Sequence, residues 1–211
     1  MSNKKIDFLR MTHLRGPSIW TYRPVMEVLV DIGEFEDFPS NLLPGFNERL
    51  SAWLPGLIEH RCSPGVRGGF LKRLEDGTWI GHILEHVSLE LLTLAGLPDG
   101  YGRAREAGPR GVYKVISAAH PVVAERALGM ARELIMAAVE DQPFDLAPHV
   151  QELTDLVDDL LVGPSTRSIV DAAWNQRRIP HIRLNAGNLV QLGYGSAQHR
   201  IWTAETDRTS A

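Results

Sequence analysis

The sequence contains little cysteine and no excess of basic residues, and it lacks any long hydrophobic run. Cys62 is the single cysteine among 211 residues, so no disulfide can form within the chain and we expect a cytoplasmic protein. Charged or helix-breaking residues interrupt every apolar stretch before the roughly 18 residues that a membrane helix needs, which predicts no membrane association. Lysine and arginine number 22 against 26 aspartate and glutamate residues, and this balance argues against nucleic acid as a partner.

Hydrophobic residues make up 44% of the chain and charged residues 23%, as in folded, water-soluble proteins. Periodicity predicts strands over residues 5–13, 25–32 and 112–117, and helices over residues 45–58, 78–95, 121–139 and 148–161. Glycine-rich stretches at residues 62–69 and 100–111 are predicted to be loops. The predicted fold class is mixed α/β, with helices packed on a small sheet, and the long separations between strands favour crossover connections.

The pattern breaks after the acidic helix, at the run Gly-Pro-Ser-Thr of residues 163–166. We predict a first domain over residues 1–161 and the beginning of a second over residues 162–211. A new helix, a strand and a Gly-Tyr-Gly turn follow the break. That turn lacks the full spacing of a phosphate-binding loop, so it is weak evidence for a nucleotide site.

Residues 82–86 read His-Ile-Leu-Glu-His within the predicted helix 78–95. Positions i and i+4 share one face of a helix, so His82 and His86 can bind one metal ion, for which we expect zinc. H-x-x-E-H is the inverse-zincin order, in which the glutamate, here Glu85, is the general base toward a water molecule. The motif predicts hydrolytic chemistry, and its alternative is a pair of histidines that only form hydrogen bonds inside the core.

A catalytic zinc usually takes three protein ligands, so a third must come from elsewhere in the chain. The sequence offers His60, Glu106 and Glu125, whose ordinary roles would be a loop hydrogen bond, an ion pair and a solvated helix position. Glu90 lies on the same face of the predicted helix as the two histidines. A helix rises about 1.5 Å per residue, which puts Glu90 about 12 Å from His82 and too far away to share its ion.

Arginines are concentrated in the two glycine-rich stretches, with Arg67 in the first and Arg103, Arg105 and Arg110 in the second. A guanidinium group can bind a carboxylate through two parallel hydrogen bonds. We therefore predict that Arg67, Arg103 and Arg105 bind an anionic substrate such as a peptide carboxylate. The alternative is that they are ordinary surface arginines.

Seven ordered blocks of the chain resemble the N-terminal portion of the cyanophycin synthetase family. They are RGPSIW (15–20), PGF (44–46), EHRCSPGVRGGF (59–70), GTWIGHILEHVSLEL (77–91), YGRARE (101–106), GPSTRSIV (163–170) and QLGYG (191–195). The resemblance implies that residues 1–161 form the family's N-terminal domain, with an inverse-zincin-like motif helix. It also implies that residues 162–211 begin an ATP-grasp domain.

Family members polymerise aspartate and arginine into cyanophycin, and the resemblance implies this polymer as the partner. An ATP-grasp domain adds aspartate with ATP and magnesium, and a Mur-ligase-like domain adds arginine. The nucleotide-binding lobes lie outside this sequence, so we expect no ligase activity from this chain alone and a homo-oligomer for the full-length enzyme. Two roles are implied: anchoring of the polymer, or metal-dependent hydrolysis of the polymer into primers at His82, Glu85 and His86.

Overall fold

The mixed α/β class predicted from the sequence is confirmed by the computed structural model, which describes residues 4–98, 100–203, 205–206 and 208–209. The strands are β1 (Asp7–Leu14), β2 (Val25–Asp31), β3 (Gly102–Glu106), β4 (Val112–Ser117), β5 (His181–Arg183), β6 (Leu189–Leu192), β7 (His199–Trp202) and β8 (Glu205–Thr206). The helices are α1 (Phe46–Trp53), α2 (Gly69–Asp76), α3 (Ile80–Leu94), α4 (Pro121–Val139), α5 (Leu146–Leu160) and α6 (Pro164–Arg177).

The first sheet has the order β1-β2-β4-β3, and all neighbouring strands are antiparallel. The expectation of crossovers is wrong for two connections, because β1 leads directly into β2 and β3 directly into β4. It holds between β2 and β3, where α1, α2 and α3 intervene. For the connection between β3 and β4, the error arose because β3 lies within a glycine-rich stretch that is predicted to be a loop.

Two further predictions differ from the structure near prolines and glycines. The helix predicted over residues 45–58 ends at Trp53, and Pro55 begins a separate 3₁₀ turn, Pro55–Glu59. Proline lacks a backbone N–H and disfavours helical backbone at the preceding residue, which accounts for the break. The glycine-rich stretch 62–69 leads into an unpredicted helix, α2, which begins at Gly69.

Helix α3 packs on the sheet beside α4 and is buried on most of its circumference. Its approach to β4 depends on Gly81, where an added Cβ would lie 2.7 Å from Cγ of Tyr113. A helix that is apolar on nearly every side belongs in the centre of a core. The polar residues that α3 carries, His82 and His86 among them, are therefore held in a largely buried setting.

The described residues from Val162 onward form a second, smaller unit. Strands β5, β6, β7 and β8 make an antiparallel sheet in that order, and its buried core with α6 consists of Val170, Val190 and Ile201. Leu161 packs against the large core, whereas Val162 packs against the small one. No helix in the described part of the chain is long and apolar enough to cross a membrane.

Candidate metal centre

Cys62, His82 and His86 form one cluster of metal-ligating side chains, in which the candidate ligand atoms all lie within 4.8 Å of one another. Cys62 Sγ is 3.2 Å from Nε2 of His82. Within the described residues this is the one group of three histidine, cysteine or acidic side chains close enough to hold a metal ion. The spacing within α3 predicted the two histidines, but sequence reasoning missed Cys62, which was considered only for disulfide formation.

The loop between His60 and α2 brings Cys62 over α3. Its two ends are joined by backbone hydrogen bonds, from Gly68 N–H to Ile58 O at 2.6 Å and from Phe70 N–H to His60 O at 3.0 Å. Cys62 itself has a φ of 49°, in the left-handed region that non-glycine residues rarely adopt. Unfavourable backbone of this kind is concentrated at functional sites, so it supports a role for this thiol.

His82 is held by a partner at each ring nitrogen. Its Nδ1 lies 2.8 Å from the hydroxyl oxygen of Thr78, and its Nε2 faces the Cys62 thiol. With the proton on Nδ1, the ring donates to Thr78 and keeps the Nε2 lone pair for a metal ion. Burial, together with the nearby positive charge of Arg73, lowers the pKa of His82 to about 4.

His86 is positioned by a hydrogen-bond chain that reaches Glu90. Nδ1 of His86 lies 2.8 Å from Nδ1 of His60, and Nε2 of His60 lies 2.9 Å from Oε2 of Glu90. The side chains of His60 and Glu90 are only 13% and 5% exposed, and the ring of Phe70 stacks on His86 with centroids 4.0 Å apart. This arrangement leaves Nε2 of His86 as its candidate ligand atom.

Burial also lowers the pKa of His86, to about 2, and the charges of His82 and His60 act in the same direction. Both imidazoles of α3 are therefore neutral at pH 7. A neutral imidazole has a free lone pair, which is the form that binds metal ions. The electrostatics of the cluster thus favour metal binding over proton binding.

Glu85 lies on the neighbouring face of α3, against β3. An added Cβ on Gly102 would come within 2.8 Å of Glu85 Cγ, and the N–H of Ala104 donates to the carboxylate. Burial raises the pKa of Glu85 to about 7, and the charges of Arg103 and Arg105 oppose this rise. Glu85 thus adjoins His86 in the sequence and contacts β3, and it is not one of the three members of the cluster.

The other predicted site residues are dispersed. Arg103 and Arg105 lie exposed on strand β3 rather than in a loop, close enough to Glu85 to affect its charge. Arg67 is exposed and forms an ion pair with Glu59 at 2.7 Å. The three candidate third ligands lie in different places: His60 contacts His86, Glu106 is exposed on β3, and Glu125 is exposed on α4.

The donor set suits zinc. One thiolate and two imidazoles are typical zinc ligands, and three protein ligands leave a fourth position open, as in catalytic sites. A cysteine ligand disfavours magnesium and calcium, which prefer oxygen donors. Cys62 is thus a candidate for the third donor that the sequence motif lacked.

A model of the cyanophycin synthase-like N-terminal domain matches residues 27–140 of the chain. Cyanophycin synthetase of Geminocystis herdmanii is 41% identical over 210 residues, which cover 97% of this chain and 24% of the relative. Those of Crocosphaera subtropica and Synechocystis sp. are each 42% identical over 202 residues, 93% of this chain and 23% of the relative. The chain therefore spans about a quarter of the length of these relatives. On the match to more than half of its length, the chain belongs to the cyanophycin synthase-like N-terminal domain family.

Proposed function

We propose that this chain is the polymer-handling region of a cyanophycin synthetase and that it hydrolyses cyanophycin into shorter chains that serve as primers. The Cys62–His82–His86 cluster is the observation that carries the hydrolytic part of the proposal. Family membership supports the polymer as the substrate. Residues 162–211 would then begin an ATP-grasp domain, and ATP, magnesium and the Mur-ligase-like domain would belong to the rest of the enzyme.

Cys62, His82 and His86 would hold zinc, which supplies Lewis acidity and lowers the pKa of a water molecule. Glu85 would serve as the general base. Its pKa of about 7 lets the carboxylate accept a proton from water and later donate it to the leaving amine at neutral pH. His60 and Glu90 would act as positioning residues, because their hydrogen-bond chain fixes the ring of His86.

Arg103 and Arg105 are the best-placed residues to bind the polymer. Their side chains leave the same face of β3, since positions i and i+2 of a strand point the same way, and their charges reach Glu85. Guanidinium groups there can bind the carboxylates of an aspartate-containing chain. Arg67 already has Glu59 as its partner, so we assign it a weaker share of the binding.

The exposed arginines of β3 also favour a second candidate function, anchoring of the polymer without hydrolysis. Arg103 and Arg105 are exposed on an edge strand of the first sheet, where a long polyionic chain has access. In this case the histidines would be structural and no metal would be needed. The two functions differ in whether zinc binds and whether the polymer is shortened.

The deciding experiment combines metal content with cleavage of purified cyanophycin. We expect close to one zinc per chain, and shortened polymer on a denaturing gel, for the unsubstituted protein. Glu85→Gln should keep zinc and lose cleavage, whereas Cys62→Ser should lose both. Glu106→Gln, an exposed carboxylate of β3, is the matched control and should change neither.

Two results would contradict the hydrolytic proposal. One is a zinc content that survives replacement of Cys62, and the other is cleavage that continues at full rate in Glu85→Gln. Retained polymer binding in a protein without zinc and without cleavage would instead support anchoring. Loss of that binding on replacement of Arg103 and Arg105, with Arg110→Gln as the control, would complete the case for anchoring.

A further inference from the structure

Strand β3 has one open edge in the first sheet. The strand order places β4 on one side of β3, and no strand in the described part of the chain lies on its other side. Arg103, Arg105 and Glu106 are exposed, and Ala104 is half-buried. An edge strand presents a row of unpaired backbone N–H and C=O groups, to which another extended chain can bind.

Backbone hydrogen bonds at the two ends of β3 show which of its residues face this edge. The N–H of Ala118 donates to Tyr101 O, and the N–H of Ala107 donates to Val112 O, both at 2.9 Å. Tyr101 and Ala107 therefore direct backbone groups toward the side of β4. Successive residues of a strand direct their backbone groups to alternate sides, and β3 pairs with β4 without a register shift. The residues whose N–H and C=O groups face the open edge are consequently Gly102, Ala104 and Glu106.

A contact of Ala104 supports this assignment independently. Its N–H donates to the carboxylate of Glu85, which belongs to α3 and not to β4. This N–H is therefore directed away from β4, as the alternation requires. Among the described residues, no backbone hydrogen bond reaches this edge of β3. The carboxylate of Glu85 thus lies at the middle of the open edge, with the backbone groups of Gly102 and Glu106 on either side.

The charges of β3 identify the kind of chain that suits its edge. Arg103 and Arg105 form no ion pair with another described residue. A second copy of β3 would place the same arginines against each other, and like charges on paired strands repel. A chain that carries carboxylates would instead place opposite charges beside them. The favoured occupant is therefore an acidic peptide and not a second copy of this protein.

We propose that the open edge of β3 binds an extended, carboxylate-bearing peptide as a fifth strand of the first sheet, held by backbone hydrogen bonds to Gly102 and Glu106 and by ion pairs with Arg103 and Arg105. The inference rests on the proposed function for the identity of that peptide, the polymer of aspartate and arginine. Gly102 and Glu106 are roughly 13 Å apart at about 3.3 Å per residue, so a segment of about five residues would pair there.

Backbone pairing would also place the chain differently from arginine contacts alone. The side of Gly102 faces α3, where an added Cβ would lie 2.8 Å from Cγ of Glu85. Side chains alternate between the two faces of a strand, so Arg103 and Arg105 point to the opposite face of the sheet. Arginine contacts alone would leave the polymer on that opposite face. Pairing with the edge would bring its backbone past the carboxylate of Glu85.

The test is a titration with a blocked six-residue peptide of alternating aspartate and threonine, in a chelator that prevents metal-dependent hydrolysis. We expect the peptide to slow hydrogen exchange at the amides of Gly102 and Glu106, measured residue by residue by nuclear magnetic resonance. The amides of β1, on the other edge of the sheet, should not respond. The same peptide N-methylated at every residue keeps its charges but loses its donors, so it should bind at least tenfold more weakly.

A proline at position 106 tests the edge from the side of the protein. Glu106→Pro removes an N–H that faces away from β4, and edge strands tolerate proline at such positions. It should weaken peptide binding about fivefold relative to Glu106→Gln, as expected for one hydrogen bond. Glu106→Gln is the matched control, because it loses the same charge and keeps the N–H. Urea unfolding establishes that both variants fold, and the N-methylated peptide tests the same contacts on the unsubstituted chain.

Unchanged exchange at Gly102 and Glu106 in saturating peptide would overturn the proposal, and so would equal binding of the N-methylated peptide. Equal binding of an alternating lysine and threonine peptide would overturn the assignment to carboxylates. The outcome is separable from that of the proposed hydrolysis. Protection of the edge without cleavage of cyanophycin by the zinc-loaded chain would contradict hydrolysis alone, whereas cleavage without protection would contradict strand pairing alone.

Discussion

Glu90 is too distant from His82 to share a metal ion with it, but a hydrogen-bond chain connects Glu90 to the candidate metal centre. It lies one turn beyond His86 on α3, and His60 bridges the gap between them through hydrogen bonds at both ring nitrogens. A carboxylate at the end of such a chain fixes the tautomer of the ligating histidine and makes it a stronger donor. The effect of Glu90 should therefore appear in metal affinity.

We predict that Glu90→Gln lowers zinc affinity about 10- to 100-fold, the usual range for loss of an outer hydrogen-bond partner. The measurement is a competition titration against a chelator of known affinity. Glu106→Gln on β3 is the matched carboxylate control and should keep the affinity of the unsubstituted chain. An unchanged affinity in Glu90→Gln would remove the hydrogen-bond chain from the site.

Glu85 provides a pH-dependent prediction. Its pKa is raised by burial from 4.5 to about 7, so folding favours its protonated form. The stabilisation from Glu85 is therefore complete below about pH 4.5 and is lost as the pH rises through about 7. The difference in free energy of unfolding between the metal-free chain and Glu85→Gln should fall by roughly 3 kcal/mol across this range.

Urea unfolding of both proteins at several pH values checks this expectation. The lowered pKa values of His82 and His86 act in the opposite direction, since their contribution is lost as the pH falls below 6.5. These contributions are common to both proteins, so the difference between them isolates Glu85. A difference that does not vary with pH would contradict the buried, protonated carboxyl.

Local periodicity was sufficient to predict the helix that carries three of the candidate site residues. His82, Glu85 and His86 follow from their spacing on α3, because a helix fixes which residues share a face. Cys62 lies 20 residues earlier in a loop with no periodicity, and its approach to α3 depends on tertiary contacts such as the close packing of Gly69 on Arg61 O. The one sequence feature that could have indicated Cys62 as a ligand was its position shortly before the His-Ile-Leu-Glu-His motif.

The glycines within the helices have different roles, which substitution can separate. On α3, a Cβ at Gly81 would meet the ring of Tyr113 on β4, so Gly81→Ala should cost about 1–3 kcal/mol through overpacking. On α4, the nearest atom to a Cβ at Gly129 is 3.9 Å away. Gly129→Ala should therefore gain up to about 1 kcal/mol from helix propensity.

Thermal or urea unfolding of the two variants measures this contrast. The same chemical change is made in both helices, so a difference in sign isolates the contact between α3 and the sheet. Equal effects of the two substitutions would show that Gly81 does not set the approach of α3 to β4. Zinc affinity measured in parallel would report whether the displaced helix still aligns His82 with Cys62.

The elements that the sequence failed to predict are those whose stability depends on partners. Strand β3 reads Gly-Arg-Ala-Arg-Glu, with no β-branched residue, and it forms because it pairs with the hydrophobic strand β4. Helix α2 spans only Gly69–Asp76 and begins at the end of a glycine-rich stretch whose composition favours a loop. Longer elements with a clear apolar face, such as α3 and α4, were predicted to within a few residues.

The whole molecule contains two cores of very different size. The first buries residues from β2, β4 and the helices α1 to α5, whereas the second has Val170, Val190 and Ile201 as its buried members. Stability rises with the buried apolar area, so the second unit should open at a lower free energy than the first. Its attachment relies on polar contacts such as the hydrogen bond from Tyr194 Oη to Tyr22 O.

We predict that the amide hydrogens of β6 and β7 exchange with solvent faster than those of β2 and β4. Hydrogen exchange followed by mass spectrometry checks this on the intact chain. Tyr194→Phe, which removes the hydroxyl at the junction, should speed exchange in β6 and β7 and leave β2 unchanged. Equal protection of the two sheets would show that they unfold as one cooperative unit.

The loop that carries Cys62 also bears Arg61 and Arg67, both exposed. With zinc bound as proposed, Cys62 would tie this loop to α3, and the ion would act as a removable cross-link between two parts of the chain. Trypsin cleaves after arginine only where the backbone can unfold locally into its active site. Chelation should therefore convert a protease-resistant segment into a preferred cleavage site, and digestion with and without a chelator would report metal occupancy without any substrate.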